Sequence, residues 1–300
     1  MLAVLWAALP ARGADEAIKL TRDGTAIRVD VGGSAFTTYH FAGGQEGQWL
    51  RPRFDPLLAA DGTAVTVDQK LVNEKDHAHH RSLWVGHSDV NGADHWEIKG
   101  KRPPRQNHVA VTVEGDTITH DVAWEGKDEK PVLRERRTMR FVAYADGARG
   151  VDLTVVLTPA DGDVELGDSK EAGLCAVRAV PAIAKKPTLT NAAGASEKTI
   201  WGKPAKWCDV SGAIDGRPYG VAMLDHPTNP RHPATWHVRG YGLLAANIFG
   251  LSEFDKKLPK DAGKMVIRKG ESASFRYRVI IHAGDARAAK LDEKWAEFAK

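Results

Sequence analysis

Arg134–Tyr144 reads RERRTMRFVAY, and its alternation decides the fold. In an extended chain Met139, Phe141 and Ala143 share one face, with Thr138 and Arg140 on the other. The same period of two runs through Val109–Val113 (VAVTV), Val151–Leu157 and Ser274–His282 (SFRYRVIIH). Asp-Gly and Asn-Gly pairs punctuate these runs at Asp23, Asp61, Asn91, Asp146, Asp161 and Asp215. Such pairs favour tight turns, because Gly tolerates positive φ and Asp or Asn bonds to its own backbone. Helical spacing is confined to the end, where Asp285 is placed to cap a helix with Leu291, Trp295 and Phe298 on one face. The expected architecture is all-β: a single-domain antiparallel β-sandwich over residues 14–300 with a short C-terminal helix. Lys185–Gly202 reads as a surface loop within it.

Composition narrows the function classes. A 42% hydrophobic and 27% charged chain of 300 residues buries a substantial core. The net charge is only +3, and its basic residues are interleaved with acids, as in KDEK at Lys127–Lys130. No basic stripe suits a phosphate backbone, so nucleic acid is not an expected partner. Met1–Leu9 (MLAVLWAAL) is too short to span a bilayer and reads as the apolar part of a signal peptide ending near Gly13. The expected localisation is therefore secreted or periplasmic, with no membrane span in the mature protein. Cys175 and Cys208 form no disulfide framework, and the sequence leaves open whether they are bridged. Phosphate-cradling loops, dinucleotide fingerprints and GxSxG elbows are absent.

Two stretches concentrate chemistry. KDHAHHRSLWVGHSDVNGADHWE, Lys75–Glu97, holds five of the twelve histidines. In extended backbone His77 and His79 point one way and His80 the other, while Arg81 diverges from His80. His-x-His is a common beginning for a metal site, and imidazole with a carboxylate suits one divalent ion. His77, His79 and Glu97 are the candidate ligands, with His87 or His95 contributing if the chain folds back at Asn91-Gly92. Without a metal, His79 or His80 serves as general base, and Arg81, Asn91 and Trp96 contact substrate. The bland alternative is a polar loop whose histidines cap backbone groups.

The second stretch, LDHPTNPRHPATWHVRGYGLLAANIFG, runs from Leu224 to Gly250. Pro227, Pro230 and Pro233 stiffen it into a rigid loop of the kind that presents a site. His237 is the candidate opposing acid. Asn229, Arg231 and Arg239 are placed to hold polar substituents, and Trp236 and Tyr241 to stack on a sugar ring. In GDSKEAGLCAVR, Glu171 is a candidate base with Lys170 as its charge partner and substrate contact, although a solvated turn is the reading that the sequence alone favours. Trp201 and Trp207 either form an aromatic wall or fill core.

These runs, together with WGKPAKW and the ending GESASFRYRVIIHAGD, resemble the PmoA-like family, labelled "methane oxygenase PmoA". The resemblance implies a β-sandwich, of the galactose-mutarotase kind, in secreted or periplasmic proteins of carbohydrate-degrading bacteria. The chain departs from that pattern at Ala78 and Ile248, where proline is usual. The leading expectation is a carbohydrate-active enzyme, a lyase, hydrolase or epimerase with a small-molecule or oligosaccharide ligand. A metal-dependent oxygenase and a non-catalytic sugar-binding module are the alternatives.

Overall fold

A computed structural model describes residues 17–42, 51–68, 77–97 and 103–300. The signal-peptide expectation falls on residues outside these. Two eight-stranded antiparallel sheets dominate. One runs in the order Ile18–Asp23, Ala26–Val31, Ser34–His40, Arg53–Phe54, Leu83–His87, Ala172–Arg178, Leu243–Ala246 and Trp236–Arg239. The other runs Thr188–Asn191, Trp207–Ile214, Arg217–Asp225, Ala273–Ala283, Arg149–Pro159, Pro131–Ala143, Thr117–Glu125 and Gln106–Glu114. Their inner faces share one apolar core, which takes Val85, Val177 and Trp236 from the first sheet and Phe141, Val155 and Phe275 from the second. The antiparallel sandwich expected from the alternation is what forms.

RERRTMRFVAY makes up most of the strand Pro131–Ala143 inside the second sheet, and the inward face of that strand carries Leu133, Glu135, Arg137, Met139 and Phe141. A charged pair therefore sits in the sandwich. Arg137 Nε donates to Glu135 Oε1 at 2.6 Å and its Nη2 to Oε2 at 3.1 Å, while Trp124 Nε1 donates to Glu135 Oε2 at 2.7 Å. Tyr39, from the other sheet, lies 3.4 Å from Arg137 Nη1. Thus the alternation is kept, but two inward positions carry charges that satisfy each other.

Three local expectations change. VAVTV belongs to the edge strand Gln106–Glu114, which pairs only with Thr117–Glu125, and Val109 is 61% exposed there. Lys185–Gly202 contains the edge strand Thr188–Asn191, and Leu189, Asn191 and Ile200 are buried. Asp285 accepts from the backbone N–H groups of Arg287 and Ala288, so it closes the turn before the helix. The helix itself is Leu291–Phe298, entered through Lys290 in the left-handed region. Leu291 and Phe298 are buried as expected, and Trp295 is half-buried. Cys175 and Cys208 are both free and buried. No helix among the described residues is long and apolar enough to cross a membrane.

Candidate functional site

Pairing across the first sheet sets Arg53, Trp84, Ala176, Ala245 and His237 in one row. Cross-strand partners share a face, and this face points away from the sandwich core. It carries its own packed layer of Trp84, Trp96, Ala176, Leu243 and Ala245, with Tyr241 against it. Trp84 and His237 are three strands apart, about 14 Å at the usual strand spacing. The row thus joins the two chemistry-rich stretches on a single surface.

The His-rich turn sits on this layer. His80 stacks on Trp84 (ring centroids 5.4 Å) and meets Trp96 edge-on at 5.9 Å. His77 continues the stack, 4.7 Å from His80 and 4.8 Å from Tyr241. Arg178 caps it, with its guanidinium 4.5 Å from the Tyr241 ring centroid and Nη1 bonded to His80 Nδ1 at 3.0 Å. Arg51 pins the turn from below by donating to the carbonyls of His79, His95 and Trp96.

Opposite, His237 is buried and held by its Nδ1–H, which donates to the Lys170 carbonyl at 2.6 Å. That bond fixes the tautomer and leaves Nε2 as a bare acceptor. Trp201 and Phe254 flank the ring at 6.4 Å. Asn247 ties the supporting loop down: its Nδ2 donates to Ser169 O and Lys170 O, and its Oδ1 accepts from the N–H groups of Phe249 and Gly250. This anchored loop presents Lys170 and Glu171, whose charged heads are 3.0 Å apart.

Electrostatics tie the two halves together. Burial lowers the pKa of His237 to about 4, and the Glu171 carboxylate opposes that shift. Burial and Arg51 lower His79 to about 4 as well, against the pull of Glu97 and Glu171. One carboxylate therefore acts on histidines from both stretches. Burial also raises the pKa of the Tyr241 phenol, and Glu171 adds to the rise. His80 is held neutral by burial, with the neighbouring His79 and Arg178 adding to the effect.

Several site residues expected from the sequence lie elsewhere or act otherwise. Trp236 alternates with His237, so it faces the sandwich core, with Nε1 bonded to Ala205 O at 2.9 Å. Asn229 spends both amide atoms on Asp225 and the Arg276 backbone. Arg231 clamps the carbonyls of Ile248, Gly263 and Lys264. Asn91 closes its own turn against Asp163 and Glu165. These four are removed from the site: in the Pro-rich loop and the Asn-Gly turn, polar side chains satisfy the irregular backbone that the turns leave unpaired. Arg81 acts electrostatically on Arg51, Arg53 and Asp55. His80 is a buried acceptor for Arg178 rather than a base, because Arg178 occupies its Nδ1.

The chain does fold back after Asn91, with His95 N bonded to His87 O at 2.9 Å. Yet His87 packs against Phe249, and His95 bonds to the Glu125 carbonyl. His77 and His79 are neighbours, with Glu97 acting on His79. Among the described residues no group of three or more His, Cys, Asp or Glu side chains is arranged to hold a metal ion. Sequence reading missed Arg178, Arg51 and Trp84. Arg51 and Arg178 lie far in sequence from the histidines they contact, and no local motif marks them.

The buried neutral histidines carry a stability consequence. His79, His95 and His237 have folded pKa values of about 4 and His87 about 3, all lowered mainly by burial from 6.5. Between those values the unfolded chain binds more protons than the folded one, so acid favours unfolding. Thermal melts are expected to hold steady above pH 6.5 and to fall progressively from there towards pH 4. A melting temperature unchanged between pH 7 and 4.5 would contradict the neutral assignment.

The surface is thus an aromatic floor bearing two neutral histidines, one carboxylate and several cations, on a sandwich of two large antiparallel sheets. The chain belongs to a family of unknown function (DUF6807), whose profile matches residues 26–296. No curated protein matches it. Similar solved structures include a putative aldose 1-epimerase from Escherichia coli K12, 11% identical, covering 90% of this chain and 100% of that one with a TM-score of 0.38. A putative aldose 1-epimerase from Klebsiella pneumoniae is 11% identical, with 96% and 89% coverage and a TM-score of 0.42. The GalM/aldose epimerase homologue from C. elegans is 8% identical, with 90% and 99% coverage and a TM-score of 0.39. The resemblance to the PmoA-like family is corrected by the family match, which is to DUF6807. The oxygenase label therefore does not carry over to this chain.

Proposed function

We propose that the chain is an acid–base enzyme acting on a sugar, of the epimerase type. The observation that supports this most directly is the strand pairing that sets His237 on the same outward face as Trp84, on which the His-rich turn stacks, with the Lys170–Glu171 pair held next to His237. His237 Nε2 is the proton acceptor, oriented by its bond to the Lys170 carbonyl. It takes the proton of a sugar hydroxyl, and Glu171 stabilises the imidazolium that forms. As the carbonyl develops, the bond to the ring oxygen breaks, and the Lys170 ammonium beside Glu171 protonates that oxygen. Ring closure on the other face reverses each transfer and inverts the centre. Trp201 offers an aromatic face to the apolar side of the ring.

Saturation-transfer NMR on a panel of free aldoses and uronates tests this directly. Wild-type protein is expected to accelerate anomer exchange for at least one of them. His237→Asn is expected to lose about 10²–10⁴-fold of that rate while still binding the sugar. Exchange that is not accelerated for any sugar, or that is undiminished in His237→Asn, would refute the assignment.

A further inference from the structure

Ser169 and Lys170 lie in irregular backbone just before the strand Ala172–Arg178. Side chains hold both of their carbonyls. Asn247 Nδ2 donates to Ser169 O at 3.0 Å and to Lys170 O at 2.8 Å, and His237 Nδ1–H meets the same Lys170 oxygen at 2.6 Å. A carbonyl oxygen has two lone pairs, so Lys170 receives both donors at once. The direction of the acceptor that holds His237 is therefore set by Asn247.

The surroundings of Asn247 suit that task. It follows the strand Leu243–Ala246, in which Ala245 pairs with His237. Its backbone N–H donates to Thr235 O at 2.9 Å. Its side chain is fully buried, and Oδ1 accepts from the N–H groups of Phe249 at 2.8 Å and Gly250 at 2.9 Å. These bonds settle which way the amide faces, with Nδ2 towards the two carbonyls. Asp has no donors when ionised, and Gln carries the same amide on a longer stem, so Asn alone fits both halves of the bonding here.

We propose that Asn247 is a positioning residue: through the Lys170 carbonyl it holds His237 as the Nδ1–H tautomer, with Nε2 free to take a sugar proton. The tautomer of an imidazole is decided by the bond that its other nitrogen makes. This rests on the reading of His237 as the proton acceptor.

Asn247→Asp isolates the role, because it keeps an acceptor for Phe249 and Gly250 and loses only the donors to Ser169 and Lys170. Nitrogen-labelled histidine NMR reads the tautomer, with the His237 signals assigned by their absence in His237→Asn. Wild type is expected to carry the proton on Nδ1. At about pH 8, Asn247→Asp is expected to populate the Nε2–H form, and its kcat for anomer exchange to fall roughly tenfold to a hundredfold with sugar affinity unchanged. Burial raises the pKa of an introduced carboxyl, so acidification to about pH 6 is expected to return one donor and part of the rate, while the wild-type rate stays level. Asn247→Ser retains one hydroxyl donor and is expected to shift both readouts the same way by less; it decides the question where the first variant does not fold. A His237 proton that stays on Nδ1 in both variants, or a rate loss that follows the melting temperature with no tautomer change, overturns the positioning role and leaves the epimerase reading standing. A tautomer shift in a protein that accelerates no anomer exchange supports the positioning role and removes the epimerase reading. Wild-type His237 with its proton on Nε2 removes both.

Discussion

Glu171→Gln is expected to lower sugar turnover by about 10²–10⁴-fold without unfolding the protein. Its side chain is 26% exposed and its one ion pair is with the exposed Lys170, so the fold does not depend on the charge. Two histidines do. The carboxylate raises the proton affinity of both His79 and His237, and its loss leaves burial and the nearby cations opposed only by Glu97 at His79 and by the Lys170 carbonyl bond at His237. Both imidazole titrations are therefore expected to move below about 4 in Glu171→Gln. On the proposed mechanism neutral His237 carries turnover, so the rate is expected to fail as pH drops through about 4 and to persist above it. In the variant the residual rate is expected to extend to lower pH. Carbon- or nitrogen-labelled histidine resonances followed by NMR give the titrations, and the pH–rate profile gives the limb. Histidine titrations that are the same in both proteins would show that Glu171 is not near the two rings.

The largest loss of stability is expected at the charged pair inside the sandwich. Arg137→Leu strands the Glu135 carboxylate between two sheets with only the indole N–H of Trp124 to bond it. Breaking one partner of a buried pair costs about 3–5 kcal/mol. Glu135 is fully enclosed, as is Arg137, so solvent screening offers little relief. Burial opposes the charge on Arg137, but Glu135 and Tyr39 raise its pKa above the ordinary arginine range. Urea denaturation is expected to show the midpoint of Arg137→Leu well below that of the wild type with an unchanged slope. Glu135→Met combined with Arg137→Leu is expected to recover most of the loss, because no charge is then left unpaired. A double variant as unstable as the single one would mean that packing of the two side chains, rather than their charges, dominates.

Much of this protein is legible in the alternation of RERRTMRFVAY and its counterparts. A period of two needs only local chain geometry, so the strands, the turns between them and the sandwich follow from the residues in order. The tight Asn91-Gly92 reversal is likewise local, and the histidine cluster announces itself by composition. His237 and the His-rich turn come to one outward face from the two stretches, and Lys170 and Glu171 join them from GDSKEAGLCAVR, which by itself reads as a solvated turn.

The rest depends on contacts that no local pattern encodes. Alternation also separates neighbours, so His237 reaches the site only because Trp236 goes to the core. Which parity faces outward is decided by pairing with Leu243–Ala246. Along Ala172–Arg178 the register shifts between Gly173 and Ala176, and both Leu174 and Cys175 enter the core. That bulge resets the parity, which brings Arg178 onto the same face as Trp84 although simple counting cannot place it. The loop polar groups were misread for a related reason. Asn229, Arg231 and Asn91 sit in irregular backbone, and buried irregular backbone must consume side-chain hydrogen bonds before any remain for a ligand.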